Sequence, residues 1–313
     1  MPRRAHSYAQ ATRSRHVRRN IEFNADGVTL RGWFYVPEQK GRRFPVVVMA
    51  HGFTAVKEMT LDKYAEVFCK GGMAVLVYDN RCLGDSDGTP RHDIDPVAQR
   101  RDYRCAITFA QQQPEVDPER VGIWGTSYTG GAVLGVAALD KRVKAVVSQV
   151  PFVHGPKNIQ QFLRLAEIPD FLKMIDDDRA RRMKGEPSQY VPVTSGTDGE
   201  PCAFPGRRTH NYFHTYVKQV PGLKWENKVT IRSLEYLLDY DVTGYMELIS
   251  PTPLLMIVSN NDSSTPTDLA LEMFQRARDP KELYIIKADH YASYLEGFDG
   301  TSAAARDFFL RNL

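Results

Sequence analysis

The segment Gly125-Thr126-Ser127-Tyr128-Thr129-Gly130-Gly131 constrains the fold more than any other part of the chain. It follows a short apolar run at 121–124 and precedes small, helix-forming residues at 132–139. This order predicts a strand, a tight turn and a helix, with a serine at the tip of the turn. A serine in that position is lifted above the sheet with its hydroxyl exposed, an arrangement known as a nucleophile elbow. We therefore predict that Ser127 is a nucleophile.

Strand and helix patterns alternate on both sides of this segment. A hairpin is predicted at 20–36, and apolar strands at 45–50, 74–78, 143–150, 254–258 and 282–286. Helices are predicted at 61–70, 95–113, 267–278 and 302–310. The strand at 45–50 is apolar throughout, which is typical of a strand buried on both faces of a parallel sheet. The alternation predicts an α/β fold built from βαβ units.

The alternation stops at Pro151 and resumes at 254. The stretch 154–250 contains two helical patterns, at 158–183 and 230–240, and a polar, irregular loop at 185–208. An insertion of this size between two strands predicts a mainly helical cap over the edge of the sheet. We predict a basic arm at 1–19, a core at 20–153 and 251–313, and a cap at 154–250.

Composition excludes several classes of protein. The 313 residues are 42% hydrophobic, which is enough for a buried core. Six arginines and no acidic residue lie within 1–19, and the remainder carries a small negative charge, so we expect no nucleic-acid binding. The arm is interpreted as solvated or packed on the protein, with a transit peptide or a nucleic-acid tail as alternatives. It has no apolar core of a secretory signal, and no run reaches the ~18 apolar residues of a membrane span.

Four cysteines without a CxxC pair are typical of a reduced, cytoplasmic protein, and we expect neither a disulfide nor a metal site. The loop Asp79 to Gly88 has acidic residues at alternate positions but lacks the glutamate and spacing of a calcium loop, so it is interpreted as a braced turn. No GxGxxG follows a strand. We therefore expect no cofactor.

A serine hydroxyl is a weak nucleophile at neutral pH and needs a nearby base, which an acid must orient. Asp262 follows the strand at 254–258, and His290 follows the strand at 282–286. The carboxyl ends of parallel strands form the edge at which sites in open α/β sheets lie. We therefore predict a triad of Ser127, Asp262 and His290, in that chain order.

Each triad residue has a structural alternative. Ser127 could cap the following helix, and Asp262 could be a turn residue. Asp268 is a rival acid, but it lies inside a predicted helix beyond Pro266. His290 is preferred as the base because no other histidine follows the last predicted strand.

Acyl transfer also needs donors for the oxyanion of the transition state. One is predicted to be the backbone N–H of Tyr128, directly after the nucleophile. The other is predicted to be the N–H of Phe53, in the loop after the strand at 45–50, where Gly52 allows close approach. His51 in this loop is interpreted as a brace rather than as the base.

With these residues in place, the chain resembles the α/β-hydrolase superfamily. The resemblance covers about 20–153 and 251–313, and it implies a mostly parallel eight-stranded sheet with flanking helices and an inserted cap. One departure is Thr129, which stands where the usual GxSxG motif has glycine, and we expect it to open the turn or shift its neighbours. The amino-acid sequences at 49–53, 74–79 and 147–152 further resemble those of the fungal polyketide-transferase and trans-acting hydrolase group.

The resemblance implies a serine hydrolase or acyltransferase that acts on an ester or thioester of an apolar, polyketide-derived acyl group. It implies a small-molecule or carrier-bound substrate, with a polyketide synthase as a candidate partner, and a homodimer is left open. Two alternatives remain: carbon–carbon or ring-forming chemistry with His290 as base, and a non-catalytic ligand-binding protein. A peptidase is a further alternative, which the lack of a large N-terminal domain disfavours.

Nine aromatic residues of the cap are candidates for contact with the substrate. We expect most of them to pack within the cap and about a third to face the substrate. They are Phe162, Phe171, Tyr190, Phe204, Tyr212, Phe213, Tyr216, Trp225 and Tyr240.

Overall fold

The computed structural model describes residues 16–39, 41–197 and 199–313. Residues 1–15 of the predicted basic arm lie outside the described residues, whereas residues 16–19 belong to the first strand. The four residues join the sheet because the hairpin register pairs His16 with Pro37 and continues to Ala25 opposite Val28.

The described residues form one eight-stranded sheet in the order β1-β2-β4-β3-β5-β6-β9-β10. The hairpin β1–β2 is antiparallel, β2 is antiparallel to β4, and the other neighbours are parallel. The predicted α/β architecture with a mostly parallel, eight-stranded sheet is confirmed. The strands are β1 (His16–Ala25), β2 (Val28–Pro37), β3 (Phe44–Ala50), β4 (Ala74–Tyr78), β5 (Val116–Thr126), β6 (Val143–Gln149), β9 (Leu254–Ser259) and β10 (Lys281–Ile286).

Helices cover both faces of the sheet, because the central strands bury apolar side chains on both faces. Every residue of β3 is buried, as is every residue of β4. Helices α1 and α9 contact each other on one face, and α2 contacts α3 on the other. The core helices are α1 (Leu61–Lys70), α2 (Pro96–Gln111), α3 (Tyr128–Leu139), α8 (Thr267–Arg276) and α9 (Phe298–Asn312).

The segment between β6 and β9 contains four helices and two very short strands. The predicted helical stretch 158–183 is divided into α4, a 3₁₀ turn at Leu165–Glu167 and α5. Helix α6 was not predicted from the sequence, and its first two residues fall in the expected loop at 185–208. The elements are α4 (Gly155–Phe162), α5 (Ile168–Met183), β7 (Tyr190–Val191), α6 (Arg207–Gln219), β8 (Val229–Thr230) and α7 (Ile231–Leu238).

The boundaries of the cap, at residues 154 and 250, stay a prediction. Across the part of the chain that the structure describes, no helix is long and apolar enough to cross a membrane.

Candidate active site

Ser127 lies at the sharp junction between β5 and α3. Its backbone has φ 56° and ψ −119°, an unusual conformation for a residue with a side chain. Its N–H donates to the Gln149 carbonyl at 2.9 Å, and its own carbonyl accepts from the Phe152 N–H at 2.9 Å. The Ser127 side chain makes no cap hydrogen bond to α3. The local geometry is therefore that of an elbow, and helix capping does not explain this serine.

Asp262 and His290 meet at the carboxyl ends of β9 and β10. His290 Nδ1 lies 2.8 Å from Asp262 Oδ2, and both side chains are almost fully buried. The other carboxylate oxygen accepts the backbone N–H groups of Ser264 and Thr265 at 2.8 and 2.7 Å. These bonds hold the carboxylate in one orientation. The rival acid Asp268 is exposed in the first turn of α8.

Ser127 and His290 line the same cavity, whose volume is about 40 Å³. Among the described residues, no hydrogen bond joins the two side chains. Three of the nine cap aromatics listed above line the cavity, namely Phe204, Tyr212 and Phe213. The walls are mostly apolar and aromatic, and the polar residues Ser127 and His290 line them together with His51, Thr126 and Ser264.

The loop after β3 lies directly against Ser127. A side chain on Gly52 would place its Cβ 3.1 Å from the Ser127 Cβ, so the close approach requires glycine. The next residue, Phe53, lines the cavity. In the described part of the chain, neither the Phe53 N–H nor the Tyr128 N–H has a hydrogen-bond acceptor.

His51 braces this loop from below. The Asn80 N–H donates to His51 Nε2 at 3.3 Å, so the proton lies on Nδ1, which donates to the Gly52 carbonyl at 3.0 Å. Burial lowers the pKa of His51 and keeps the ring neutral. Both nitrogens are engaged, which agrees with the interpretation of His51 as a brace.

The Thr129 side chain is held by hydrogen bonds within the elbow. Its hydroxyl donates to the Ala50 carbonyl at 2.8 Å and accepts from the Thr126 N–H at 3.1 Å. The polar side chain thus finds backbone partners on both adjacent strands, and the expected opening of the turn stays a prediction.

The acidic loop after β4 is braced by a lysine that sequence reasoning did not single out. Lys57 Nζ lies 2.8 Å from Asp79 and 2.5 Å from Asp85. Burial opposes the charge, but the neighbouring carboxylates raise the pKa of Lys57, so it stays protonated. In the described ranges, no three His, Cys, Asp or Glu side chains are arranged to hold a metal ion.

Sequence reasoning also missed three residues around the histidine. The Thr265 hydroxyl lies 2.9 Å from Asp262 Oδ2 and 3.1 Å from His290 Nδ1, and Tyr291 and Tyr294 line the cavity. The Tyr294 hydroxyl contacts the Thr126 hydroxyl at 2.6 Å. The available indication for the two tyrosines was their position one and four places after His290. Residues three places apart share a side of a helical turn, so Tyr291 and Tyr294 face the same way.

Comparison with known proteins places this chain in a family. The thiohydrolase aneE of Aspergillus aculeatus is 33% identical over 299 residues, covering 91% of this chain and 90% of that protein. The polyketide transferase grgF of Penicillium sp. is 31% identical, covering 91% of this chain and 93% of that protein. The crystal structure of the α/β hydrolase GrgF from Penicillium sp. sh18 superposes with a TM-score of 0.80 at 30% identity, covering 95% of this chain and 99% of that one.

A profile of the X-Pro dipeptidyl-peptidase (S15) family matches residues 26–292. The resemblance stated from the sequence motifs is confirmed by these matches. The chain therefore belongs to the S15 family of α/β-hydrolase-type enzymes, and fungal thiohydrolases and polyketide transferases are among its relatives.

Proposed function

We propose that the protein transfers an apolar, polyketide-derived acyl group from a thioester or ester through an acyl-enzyme on Ser127. The observation that carries the proposal is the shared cavity, which Ser127 and His290 line together while Asp262 holds His290 by Nδ1. That bond leaves Nε2 as the nitrogen available to a nucleophile. The names of the relatives support the substrate class.

The first half of the reaction forms the acyl-enzyme. The Ser127 oxygen attacks the carbonyl carbon while His290 Nε2 takes the hydroxyl proton. The oxyanion of the tetrahedral intermediate accepts from the Phe53 and Tyr128 N–H groups. The bond to sulfur or to the leaving oxygen then breaks, and His290 returns the proton to the leaving group. Asp262 holds the ring through Nδ1 and stabilises the imidazolium.

The second half resolves the acyl-enzyme. Water, an alcohol or an amine attacks the Ser127 ester, with His290 as base and then as acid. Hydrolysis and transfer therefore share every protein group and differ in the acceptor. All the proton transfers use this chain's own residues, so the steps need no cofactor.

The cavity walls favour an acyl substrate over a peptide. A dipeptidyl-peptidase needs a charged partner for the substrate's ammonium group, because a buried unpaired charge is costly. The described residues that line the cavity include no aspartate or glutamate. Aromatic and aliphatic side chains, including Met59, Leu61 and Phe204, offer an apolar acyl chain burial instead.

The same cavity is too small for a long acyl chain as it stands. About 40 Å³ holds roughly three water molecules. An acyl chain must therefore displace part of the wall, and the cap side is the part that is not held in the sheet.

Intact-protein mass spectrometry, which detects labelling, and a thioester hydrolysis assay together test the proposal. The wild type should gain one fluorophosphonate adduct and should hydrolyse an N-acetylcysteamine thioester of a medium-chain acid. Ser127→Ala should lose both, and Ser250→Ala, a serine remote from the cavity, should retain both. Turnover by Ser127→Ala on a pathway intermediate would instead support His290 acting as a base alone. A wild type that neither labels nor turns over would support a binding protein.

A further inference from the structure

Thr129 occupies the place in the elbow where the usual motif has glycine, and it is buried there. Its hydroxyl lies 2.8 Å from the Ala50 carbonyl, 3.1 Å from the Thr126 N–H and 3.1 Å from the Thr126 carbonyl. A hydroxyl can donate once and accept as well, so it satisfies a donor and an acceptor at the same time. Glycine could form none of these contacts.

The two backbones that this hydroxyl joins are about to diverge. Ala50 pairs with Gly125 as the last pair of the β3–β5 ladder. After Ala50 the chain continues into Gly52 and Phe53, and after Thr126 it continues into Ser127 and Tyr128. The hydroxyl therefore bridges the two strands at the point where backbone hydrogen bonds between them end.

The close packing that glycine usually allows at this position is provided here by Gly131. A Cβ on Gly131 would lie 1.8 Å from the Phe152 carbonyl oxygen, so this residue provides the close approach of α3 to the chain after β6. With close packing supplied by Gly131, the side chain of Thr129 is free to face the end of β3.

We propose that Thr129 is a positioning residue, which fixes the separation between the Phe53 and Tyr128 N–H groups through its bridge from Ala50 to Thr126. The inference rests on the proposed function, because it concerns the donors that bind the oxyanion. A donor pair stabilises the transition state only when both N–H groups reach the oxyanion at hydrogen-bond distance. Ala50 lies three residues before Phe53, and Thr126 lies two residues before Tyr128. The bridge between Ala50 and Thr126 therefore restricts both donors at once.

The central test compares Thr129→Val with Thr129→Ser. Valine keeps the shape and loses the hydroxyl, whereas serine keeps the hydroxyl. Removal of a whole oxyanion donor costs about 10²–10³-fold in kcat, so we expect a displaced pair to cost about 10–100-fold. KM for the thioester should change less than about twofold, because the ground-state carbonyl depends little on these donors. Thr129→Ser should recover to within about threefold of the wild type.

A trifluoromethyl ketone that forms a tetrahedral adduct provides the readout that distinguishes positioning from general stability. Its affinity should fall in Thr129→Val by about the same factor as kcat/KM, while a ground-state product acid binds as in the wild type. Thr129→Gly removes the hydroxyl without introducing a buried methyl group, and it should show the same loss if valine prevents folding.

The inference is overturned if folded Thr129→Val or Thr129→Gly keeps kcat and ketone affinity within twofold of the wild type. It is equally overturned if product and ketone affinities fall together. Failure of the wild type to label at Ser127 would instead reject the proposed acyl-enzyme, so the two failures are distinguishable.

Discussion

The core and the cap are stabilised in different ways. Strands β3 and β4 are buried at every position, and α3 buries eleven of its twelve residues. In the cap, the sixteen-residue α5 buries only Ile175 and Asp178. Ser127, Asp262 and His290 belong to the core, whereas Phe204, Tyr212 and Phe213 of the cavity wall belong to the cap. Under the proposed function, chemistry is thus placed on the sheet and the shape of the substrate site on the cap.

The cap is attached to the core by apolar packing, which joins both in one hydrophobic cluster, and by ion pairs at its exposed edge. Arg208 of α6 pairs with Asp289 at 2.9 Å and with Glu296 at 2.5 Å, on either side of the turn that begins at His290. Lys224 of the cap pairs with Asp85 at 2.8 Å. Exposed ion pairs are weak and sensitive to salt, so this seam should open more readily than the sheet. The following variants test the contrast, from the largest expected effect to the smallest.

Asp262→Asn tests the rigid region. The Asn oxygen would keep the hydrogen bonds from the Ser264 and Thr265 N–H groups, so its NH2 group would face His290 Nδ1 and donate to it. The ring would then carry its proton on Nε2, which is the wrong tautomer for a base. We expect kcat to fall on the order of 10⁴-fold with little change in KM. Steady-state thioester hydrolysis measures both constants. Asp268→Asn is the matched control and should retain activity, whereas a loss below tenfold in Asp262→Asn would contradict the triad.

Phe204→Ala tests the cap wall. The Phe204 ring is half-buried, and its centroid lies 4.9 Å from that of Phe53 and 5.2 Å from that of Phe162. Its removal should enlarge the cavity, so the ratio of kcat/KM for a decanoyl over an acetyl thioester should rise about tenfold. Phe171→Ala, a half-buried cap aromatic that does not line the cavity, should leave the ratio unchanged. An equal change in both variants would mean that the cap responds as a whole.

Arg208→Gln tests the seam. Since the pairs are about half exposed, their loss should raise KM by no more than about threefold, and kcat should be unchanged. In the wild type, KM should rise with salt, and this dependence should flatten in the variant. The neighbouring Arg207, which is exposed and has no ion pair in the described ranges, provides the control Arg207→Gln. Unaltered salt dependence in Arg208→Gln would show that other contacts hold the cap.

Asp85→Asn tests the same seam by pH. Burial raises the pKa of Asp85, but hydrogen bonds from Lys224 and Lys57 outweigh it and lower the pKa to about 2. Because the folded pKa lies below the ordinary value of 3.8, the stabilisation is present above about pH 4 and is lost as the pH falls towards 2. Solvent screens this partly exposed group, so the effect should stay below about 1 kcal/mol.

Urea unfolding at pH 7 and pH 3 measures it. The wild type should lose more stability than Asp85→Asn between these values. If the free energies of unfolding of the wild type and Asp85→Asn differ by the same amount at pH 7 and at pH 3, a contribution from the titration of Asp85 is excluded.

The sequence predicted the core better than the cap for a physical reason. Strands leave apolar runs in the sequence, and Asp262 and His290 lie within four residues of the ends of β9 and β10. Helix α6 was missed because its buried residues Thr209, Tyr212, Phe213 and Tyr216 are mixed with histidines, arginine and lysine. The role of Thr129 could not be predicted, since its partner Ala50 lies 79 positions away and the contact depends on strand order.

In the proposed reaction, the small volume beside Ser127 affects how the acyl-enzyme partitions between hydrolysis and transfer. In bulk solvent, an ester is surrounded by water at a concentration that few alcohols or amines can match. In a site with room for roughly three water molecules, that advantage shrinks to a local competition. An acceptor that fills the site removes its competitor by occupying the same space. The outcome of the second half-reaction then follows from displacement in a confined volume, with the same three catalytic side chains serving either product.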